Sequence, residues 1–370
     1  MNVYAFYLPQ FHRTSENDQW WGEGFTEWVS IKNAKPLYEG HYQPREPLNG
    51  NYYDLSDVSV MEWQGSLARE YGISGFCVYH YWFEGKQLLQ KPMEQLLEHK
   101  EIDFPYFFCW ANESWTNAWA TNDGKPKVLM LQGYGNEEKW ELHFQYLLQF
   151  FNDSRYIKRS NKPLFVIYRP ERIPCLNEML DYLDRRAKEE GFDGICFISQ
   201  QFEFLLNGGN NPRFAYRIEY QPCYSDYSCI SSARRRINRM EDAVIRFFRE
   251  RLKIATPKVK GLRRLSYDKL WQNILQHKPL DERVLPGAFV GWDNTPRYKN
   301  KGYVIDGSDP SKFQKYFKQL IQKTKTEYKK DMIFVFAWNE WAEGGYLEPD
   351  EKYGYGYLNA IKHALQDEKD

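Results

Sequence analysis

The stretch MIFVFAWNEW, residues 332–341, passes from a continuous apolar run directly into a cluster of aromatic, amide and carboxylate side chains. A strand that is apolar on both faces is typical of a parallel sheet covered by helices, because both of its faces are then buried. Binding sites in α/β proteins form where such strands end. The same pattern repeated along the chain would predict a parallel sheet with a functional site at one edge.

The pattern recurs seven times. The further apolar runs are VYAFYLP (3–9), ISGFCVYHYW (73–82), PYFFCWAN (105–112), PLFVIYRP (163–170), GICFISQ (194–200), FAYRIEYQP (214–222) and PGAFVGWD (286–293). Helical periodicity fills the gaps at 57–71, 87–99, 137–151, 176–190, 238–253, 311–324 and 358–365. Eight strands alternating with helices predict an α/β fold, a single (β/α)₈ TIM barrel over residues 1–370. A doubly wound sheet is the alternative, but no GxGxxG or GxxxxGK[ST] sequence follows any strand.

Two insertions interrupt this alternation. Residues 10–56 form a long aromatic loop, which we expect to fold over the carboxyl end of the strands, because loops this long in compact domains are usually functional. A basic helical insertion is predicted at about 225–280, where residues 234–264 hold 12 Lys and Arg against three acids. The basic stretch is either a solvated helix or a patch that makes weak contact with an anionic membrane surface or a lipid diphosphate.

Composition excludes several classes of protein. The 370 residues contain 50 Lys and Arg and 50 Asp and Glu, and this balance argues against a nucleic-acid binder. No apolar run approaches the length of about 18 residues that indicates a transmembrane helix, and the first residues lack the features of a secretory signal. The six cysteines form no CxxC pair, so we expect free structural thiols and a cytoplasmic location.

Residues at the carboxyl ends of the strands of a barrel meet at one face. The residues that we predict to bind substrate there are Tyr7, Gln10, His80, Tyr81, Trp82, Trp110, Asn112, Glu113, Trp115, Glu219, Trp292, Asp293, Trp338, Asn339 and Trp341. Rings that stack on sugars, amides that bind hydroxyls and carboxylates together indicate a carbohydrate site. The set lacks metal-ligand spacing, so we expect neither a metal nor a cofactor. Glu219 is equally compatible with a structural ion pair, and for His80 a hydrogen-bonding role is favoured over a catalytic one.

The motif WNEWAEG, residues 338–344, carries the predicted catalytic residues, Glu340 and Glu343. A separation of three would place the two side chains on opposite faces of a strand, so they converge only if the chain turns after Trp341. The glycines at 344 and 345 favour such a turn. Two crowded glutamates would repel, which raises the pKa of one and leaves the other ionised, as glycosidic-bond chemistry requires. The alternative is that one pairs with an arginine while the other is solvated.

The sequence resembles the WbsX-type glycosyltransferase-like family, which is related to glycoside hydrolase family 99, the endo-α-mannosidase and mannanase group. The resemblance rests on eight ordered blocks: AFYLPQFH (5–12), NDQWWGEGFTEW (17–28), HYQPREP (41–47), GFCVYHYWFEGKQLL (75–89), FPYFFCWANESWT (104–116), KPLFVIYRP (162–170), GWDNTPR (291–297) and FAWNEWAEGGYLEPD (336–350). It implies a (β/α)₈ barrel and a retaining mechanism without metal. By the same resemblance Glu343 is the general acid/base, Glu340 is a base on the 2-hydroxyl of the substrate, and Tyr7, Trp110 and Asn112 belong to the site.

These observations favour a retaining glycoside hydrolase that acts on α-mannose-type or related linkages of a bacterial surface polysaccharide or its precursor. Its partner would be an oligosaccharide or polysaccharide, either free or linked to a lipid diphosphate, and not a nucleic acid. A glycosyltransferase of O-antigen or capsule assembly is the first alternative. A non-catalytic glycan-binding barrel is the second, although a protein that only binds glycans has no need of both glutamates.

Overall fold

The structure is a computed structural model, and it describes residues 1–117, 127–201, 211–228 and 262–367. Eight parallel strands form a barrel with helices outside it. The strands are β1 (Asn2–Tyr7), β2 (Gly75–Phe83), β3 (Tyr106–Trp110), β4 (Lys162–Ile167), β5 (Cys196–Gln201), β6 (Tyr216–Glu219), β7 (Val284–Leu285 and Gly287–Phe289) and β8 (Met332–Phe336). This confirms the predicted TIM-barrel fold.

Within the described residues, eleven α-helices connect or flank these strands. They are α1 (Ser15–Trp21), α2 (Glu27–Lys32), α3 (Val58–Glu70), α4 (Lys91–Glu98), α5 (Glu137–Phe151), α6 (Leu176–Glu189), α7 (Cys223–Ser228), α8 (Tyr267–Gln276), α9 (Thr295–Tyr298), α10 (Pro310–Lys323) and α11 (Gly356–Gln366). The larger ones bury one face, as α6 does with Met179, Leu180, Leu183 and Ala187 at helical spacing.

Strand β7 closes the barrel and is split by Pro286. Its first segment pairs with β6 and its second with β8, while the remaining strands pair in chain order and β8 pairs with β1. Pro286 cannot donate a backbone hydrogen bond, which is why the ladder is interrupted there. Its carbonyl still accepts from the amide of Phe334 at 3.1 Å, so the split strand stays attached to β8.

Aromatic rings fill the barrel interior. Phe6 on β1 stacks on Tyr79 of β2 at 5.7 Å between centroids and meets Tyr220 edge-on at 5.4 Å. Tyr4 meets Phe107 edge-on at 5.2 Å, one layer closer to the amino ends of the strands. Much of the aromatic content therefore forms core, and edge-to-face contacts of this kind add to the stabilisation that comes from burial.

The long loop of residues 10–56 holds itself together before the chain enters α3. Thr14 caps α1 by accepting from the amide of Asn17, and the Trp28 indole donates to the carbonyl of Tyr53 at 2.8 Å. The amide of Leu55 donates to the carbonyl of Phe11, so the two ends of the loop lie side by side. The loop is therefore a folded layer of the protein.

Two predicted helical segments need correction. Residues 87–99 were predicted as one helix, but Lys86–Leu88 is a strand antiparallel to β2, and α4 begins only at Lys91 after Leu89 adopts a positive φ of 58°. The predicted helix 238–253 and most of the basic stretch 234–264 lie outside the described residues. Of that stretch, Arg263 and Arg264 belong to a strand that pairs with Tyr303–Asp306.

The described part of the chain contains the helices and cysteines on which two of the expectations from composition depend. Among its helices none combines the length and the apolar character that a membrane span needs. The described cysteines are all free thiols, and Cys77, Cys109 and Cys196 are buried in barrel strands.

Gly287 gives a test of barrel closure. A Cβ atom at this position would overlap the carbonyl oxygen of Glu219 on β6, which is backbone and cannot move aside cheaply. We expect Gly287→Ala to lower the free energy of unfolding by about 2–3 kcal/mol, as overpacking does, measured by urea denaturation. Gly133→Ala is the matched control, because its Cβ would meet only the end of the exposed Glu84 side chain. Equal effects of the two substitutions would show that closure does not depend on this contact.

Candidate active site

A cavity of about 380 Å³ opens at the carboxyl end of the barrel. The strands contribute the tyrosines Tyr79, Tyr81, Tyr168 and Tyr220 at or near their carboxyl ends. The long loop of residues 10–56 contributes a second wall, lined by Gln10, Asn17, Trp21, Phe25 and Glu27. A third group follows β3 and includes Glu113 and Trp115. The cavity is therefore lined mainly by rings, amides and carboxylates.

Glu340 and Glu343 lie on the floor of this cavity, on a turn after β8. Asn339–Glu340 pairs antiparallel with Gly345–Tyr346, and the intervening residues Trp341–Glu343 form a single 3₁₀ turn. Gly344 ends that turn with a φ of +65°, a conformation that favours glycine. The turn carries both carboxylates to the same cavity, and the amide of Glu343 donates to Oε1 of Glu340 at 3.2 Å.

Arg297 is the cation that holds the two glutamates. It lies on the short helix α9, and its Nη1 is 3.2 Å from Glu343 Oε1, while its Nη2 is 3.5 Å from Glu340 Oε1. The same Nη2 donates to Oε2 of Glu27, the first residue of α2, at 2.9 Å. One guanidinium therefore faces three carboxylates, so the group carries excess negative charge when all are ionised.

Burial and mutual repulsion keep protons on this group. Burial raises the pKa of Glu340 to about 8, Arg297 opposes the rise, and the carboxylates of Glu343 and Glu27 add to it. Burial also raises the pKa of Glu343, against the effect of Arg297, which donates to it directly. Because Glu343 has the shorter contact with the cation, the charges favour an ionised Glu343 and a protonated Glu340 in the free site.

Four of the fifteen predicted binding residues line the cavity together with the two glutamates: Gln10, Tyr81, Glu113 and Trp115. The Trp115 ring meets Tyr81 edge-on at 5.2 Å between centroids. The other eleven residues are not part of the lining: Tyr7, His80, Trp82, Trp110, Asn112, Glu219, Trp292, Asp293, Trp338, Asn339 and Trp341. Each of these has another place in the fold.

The pleat of β2 explains one group of them. Successive side chains of a strand point to opposite faces, so Tyr79 and Tyr81 line the cavity while His80 and Trp82 point outward to α5. There Nε2 of His80 lies 3.0 Å from Nε2 of His143, and Trp82 stacks on the His143 ring at 4.7 Å. Burial lowers the pKa of His80 to about 3, so the ring is neutral.

Tyr7 and Trp110 face other parts of the fold. The Tyr7 hydroxyl donates to Oε1 of Gln64 on α3 at 2.7 Å. The Trp110 indole donates to the carbonyl of Trp82 at 3.1 Å.

The two asparagines at strand ends bind backbone. Asn112 accepts from the amide of Arg169 and donates to its carbonyl, both at 2.8 Å, and so joins the end of β3 to the end of β4. Asn339 makes the same pair of bonds to the amide and carbonyl of Leu8, joining the ends of β8 and β1. Both side chains are completely buried. Their role in these contacts is to fix the barrel rim.

The remaining predicted carboxylates and indoles lie in buried networks. Asp293 accepts from His41 at 2.8 Å and from Gln43 at 2.7 Å, both on the long loop. Glu219 lies 3.1 Å from Nε2 of His277 and accepts from Tyr328 at 2.8 Å, so its carboxyl group contacts side chains outside the cavity. Trp292 stacks on Tyr303 at 5.4 Å between centroids. The indoles of Trp338 and Trp341 both donate to Glu348.

Sequence reasoning missed Arg297 and Glu27 as parts of the site. Arg297 lies eight residues beyond the end of β7, on a separate helix, and Glu27 lies in the middle of the long loop. Neither position follows a strand directly, so a search restricted to strand ends passes over both. The position of Glu27 among aromatic residues in GFTEW (24–28) was the available signal.

Comparison with known proteins gives a consistent family assignment. A family model described as "Glycosyltransferase WbsX" matches residues 3–361. An uncharacterised protein, WxcX, from Xanthomonas campestris pv. campestris is 32% identical over 364 residues, which cover 98% of this chain and 49% of that protein. A second strain of the same organism has a relative with the same identity and coverage. The chain thus spans about half the length of the curated relatives that it matches.

Solved structures share the fold at low sequence identity. A GH99 endo-α-mannosidase from Bacteroides thetaiotaomicron superposes with a TM-score of 0.57 at 12% identity, covering all of this chain and 97% of the other. A protein described as glycoside hydrolase-like gives a TM-score of 0.58 at 12% identity, over 98% and 93% of the two chains. These similarities establish the barrel architecture.

The raised pKa of Glu340 predicts a pH-dependent gain of stability for Glu340→Gln. A folded-state pKa above the ordinary value of 4.5 means that stability falls as pH rises from about 4.5 towards 8. Glutamine resembles the protonated carboxyl, so we expect the variant to match the parent near pH 5 and to exceed it by about 2 kcal/mol at pH 9. The measurement is chemical denaturation at both pH values.

The exposed Glu23 supplies the control, because its side chain is 91% exposed and Glu23→Gln should change stability little at either pH. A stability difference between parent and Glu340→Gln that is the same at pH 5 and pH 9 would contradict a perturbed Glu340.

Proposed function

The chain belongs to the WbsX glycosyltransferase family, and from that premise we propose that it is a retaining glycoside hydrolase acting on α-mannose-type or related linkages. Membership of that family and the GH99-like fold support a carbohydrate-active enzyme. The observation that carries the proposal is the pair Glu340 and Glu343, which a turn brings to the floor of one ring-lined cavity beside Arg297. Cleavage of a glycosidic bond needs two neighbouring carboxyl groups, one protonated and one ionised.

The proposed reaction has two balanced steps. In the first, Glu340 takes the proton of the 2-hydroxyl, O2 bonds to C1, the bond from C1 to the glycosidic oxygen breaks, and Glu343 protonates that oxygen. In the second, Glu343 takes a proton from water, the water oxygen bonds to C1, the C1–O2 bond opens, and Glu340 returns its proton to O2. Both attacks invert C1, so the configuration is retained overall.

The charges of the free site bear on these roles. They favour the proton on Glu340, whereas the first step needs it on Glu343. A bound glycosidic oxygen beside Glu343 would favour the protonated acid there, because it accepts a hydrogen bond that a carboxylate cannot donate. A 2-hydroxyl beside Glu340 would stabilise the carboxylate by donating to it. Substrate binding is therefore proposed to move the proton from Glu340 to Glu343.

The proposed substrate is part of a bacterial surface polysaccharide or its precursor, acted on in the cytoplasm. The occurrence of a relative in a bacterium supports a bacterial setting, and the free thiols of the described chain support a reducing compartment. A lipid diphosphate at the end of the glycan remains part of the proposal, and its suggested contact, residues 234–264, lies mostly outside the described residues.

Glycosyl transfer is the second candidate, and the description of the matching family favours it. A transferase would use the same turn, with an acceptor hydroxyl in place of water in the second step. No DxD sequence for a sugar nucleotide is present in the chain. Cleavage in H₂¹⁸O distinguishes the two, because hydrolysis places ¹⁸O on C1 of the product and transfer to an added oligosaccharide does not.

Substitution of the two glutamates tests their roles. We expect Glu343→Gln to lower the rate on natural mannosides by roughly 10³-fold or more, and to recover in part on an aryl glycoside whose leaving group needs no proton. Glu340→Gln should be inactive on both, because the attack of O2 does not depend on the leaving group. Rates on α-mannosides with poor and good leaving groups measure this, with circular dichroism as the folding control.

The opposite pattern, rescue of Glu340→Gln and not of Glu343→Gln, would exchange the roles. Near-parental rates for both variants on a substrate that the parent turns over would refute the assignment.

The charge of the cavity predicts a preference against acidic sugars. Among the described lining residues, Glu27, Glu113, Glu340 and Glu343 face one cation, Arg297, although Glu113 also lies 3.2 Å from Arg169 outside the lining. We expect a mannose oligosaccharide to inhibit turnover at about tenfold lower concentration than the same compound with one residue oxidised to a uronate.

The methyl ester of that uronate is the matched control, since it keeps the added atoms and removes the charge. It should bind about as well as the neutral oligosaccharide, and Glu27→Gln should narrow the gap between uronate and ester. Equal binding of the uronate and its ester to the parent would show that the cavity charge does not select the substrate.

A further inference from the structure

Glu348 is a buried carboxylate behind the catalytic turn, and none of the hydrogen-bond partners that it has among the described residues is a cation. Its side chain accepts four hydrogen bonds: from Gln64 Nε2 at 2.6 Å, Tyr53 Oη at 2.9 Å, Trp338 Nε1 at 3.0 Å and Trp341 Nε1 at 2.7 Å. Two bonds go to each oxygen, so all four in-plane lone pairs are used. The residue is only 3% exposed.

The four donors come from three parts of the fold. Gln64 lies on α3 and Tyr53 at the end of the long loop, whereas the two indoles flank Glu340 on the catalytic turn. Trp341 directly follows Glu340 and stands, with Ala342, between it and Glu343. Its ring also stacks on Tyr346 at 3.7 Å between centroids, so both its edge and its face are fixed. Through these contacts Glu348 connects the catalytic turn to α3 and to the end of the long loop.

Stability alone does not account for a carboxylate here. Burial raises the pKa of Glu348 to about 7, against the four hydrogen bonds, so keeping the group ionised costs folding free energy. A neutral side chain could pack in this place without that cost. However, only an ionised carboxylate accepts from four donors at once, because a protonated carboxyl turns one acceptor position into a donor.

We propose that Glu348 is a positioning residue, whose carboxylate holds the indoles of Trp338 and Trp341 and thereby fixes the spacing of Glu340 and Glu343. The proposal rests on the proposed function in that those two glutamates are taken as catalytic. A shift of about 1 Å in such a group can cost about 10²-fold in rate. The titratable groups that face Glu348 are Tyr53 directly and Tyr7 through Gln64, and burial raises the pKa of both well above 10.

Glu348→Gln tests the proposal, because it keeps the shape and replaces one acceptor by an NH₂ donor that faces two donors. We expect kcat to fall between about 10-fold and 100-fold with KM changed less than about threefold. Asp153→Asn is the matched control. Asp153 is also a buried carboxylate with several donors, including Arg155, but it follows α5 and its partners lie at the other end of the barrel. The Asp153→Asn variant should have a lower free energy of unfolding than the parent and an unchanged kcat.

A second measurement does not need turnover. The protein is labelled with ¹⁵N in tryptophan and glutamate for NMR, and the indole N–H signals are assigned with the variants Trp338→Phe and Trp341→Phe. The signals of Trp338 and Trp341 should shift together as the pH passes through about 7. In Glu348→Gln both signals should move upfield and stop titrating. The amide signal of Glu343, which donates to Glu340, should move as well. Asp153→Asn should leave all three signals unchanged.

The possible outcomes distinguish a failure of the proposed function from a failure of the positioning role of Glu348. If no glycoside is turned over by the parent, the proposed function fails while the spectra still decide the role of Glu348. Equal losses of kcat in Glu348→Gln and Asp153→Asn, or an unmoved Glu343 amide in Glu348→Gln, would overturn the positioning role. Should Glu348→Gln not fold, Gln64→Leu removes one donor only, and it should shift the same signals with a smaller loss of kcat, on the order of threefold.

Discussion

The burial of carboxyl groups at the carboxyl end of the barrel is the constraint on which the rest of the structure depends. Asp293, Glu340 and Glu348 are each at most 5% exposed and lie near one another in the fold. A buried carboxylate is tolerated only with hydrogen-bond donors or cations around it. The long loop of residues 10–56 supplies many of them: His41 and Gln43 for Asp293, and Tyr53 for Glu348. The loop is therefore as much a source of donors as it is a wall of the cavity.

The barrel could be predicted from the sequence because its strands are buried on both faces. Continuous apolar runs such as MIFVFAW are typical of strands in a covered parallel sheet, and the structure places β8 there. The direction of individual side chains could not be predicted with the same success. The strand end YHYW (79–82) holds four rings, and the register of β2 alone decides that the two tyrosines face the cavity.

The site could be predicted in part for a related reason. A turn that brings Glu340 and Glu343 together follows from local features, since two glycines stand directly after the motif. Arg297 and Glu27 approach that turn only because helices from two distant segments meet there, which local sequence does not encode. Asn112 and Asn339 are the opposite case, because amides at strand ends suggest a sugar site. Both side chains instead form hydrogen bonds with the backbone at the end of the neighbouring strand.

The contact between Asn339 and Leu8 joins residues 331 positions apart in the chain. On the ribosome, β1 therefore emerges long before the strand that covers its second edge. Until β8 arrives, that edge of β1 and the donors of the long loop have no native partner, and unpaired edges of this kind favour association with other chains. The carboxylates that those donors serve lie 250 residues further along the chain for Gln43 and 295 for Tyr53, so the barrel rim and the catalytic turn can assemble only after that stretch has been synthesised.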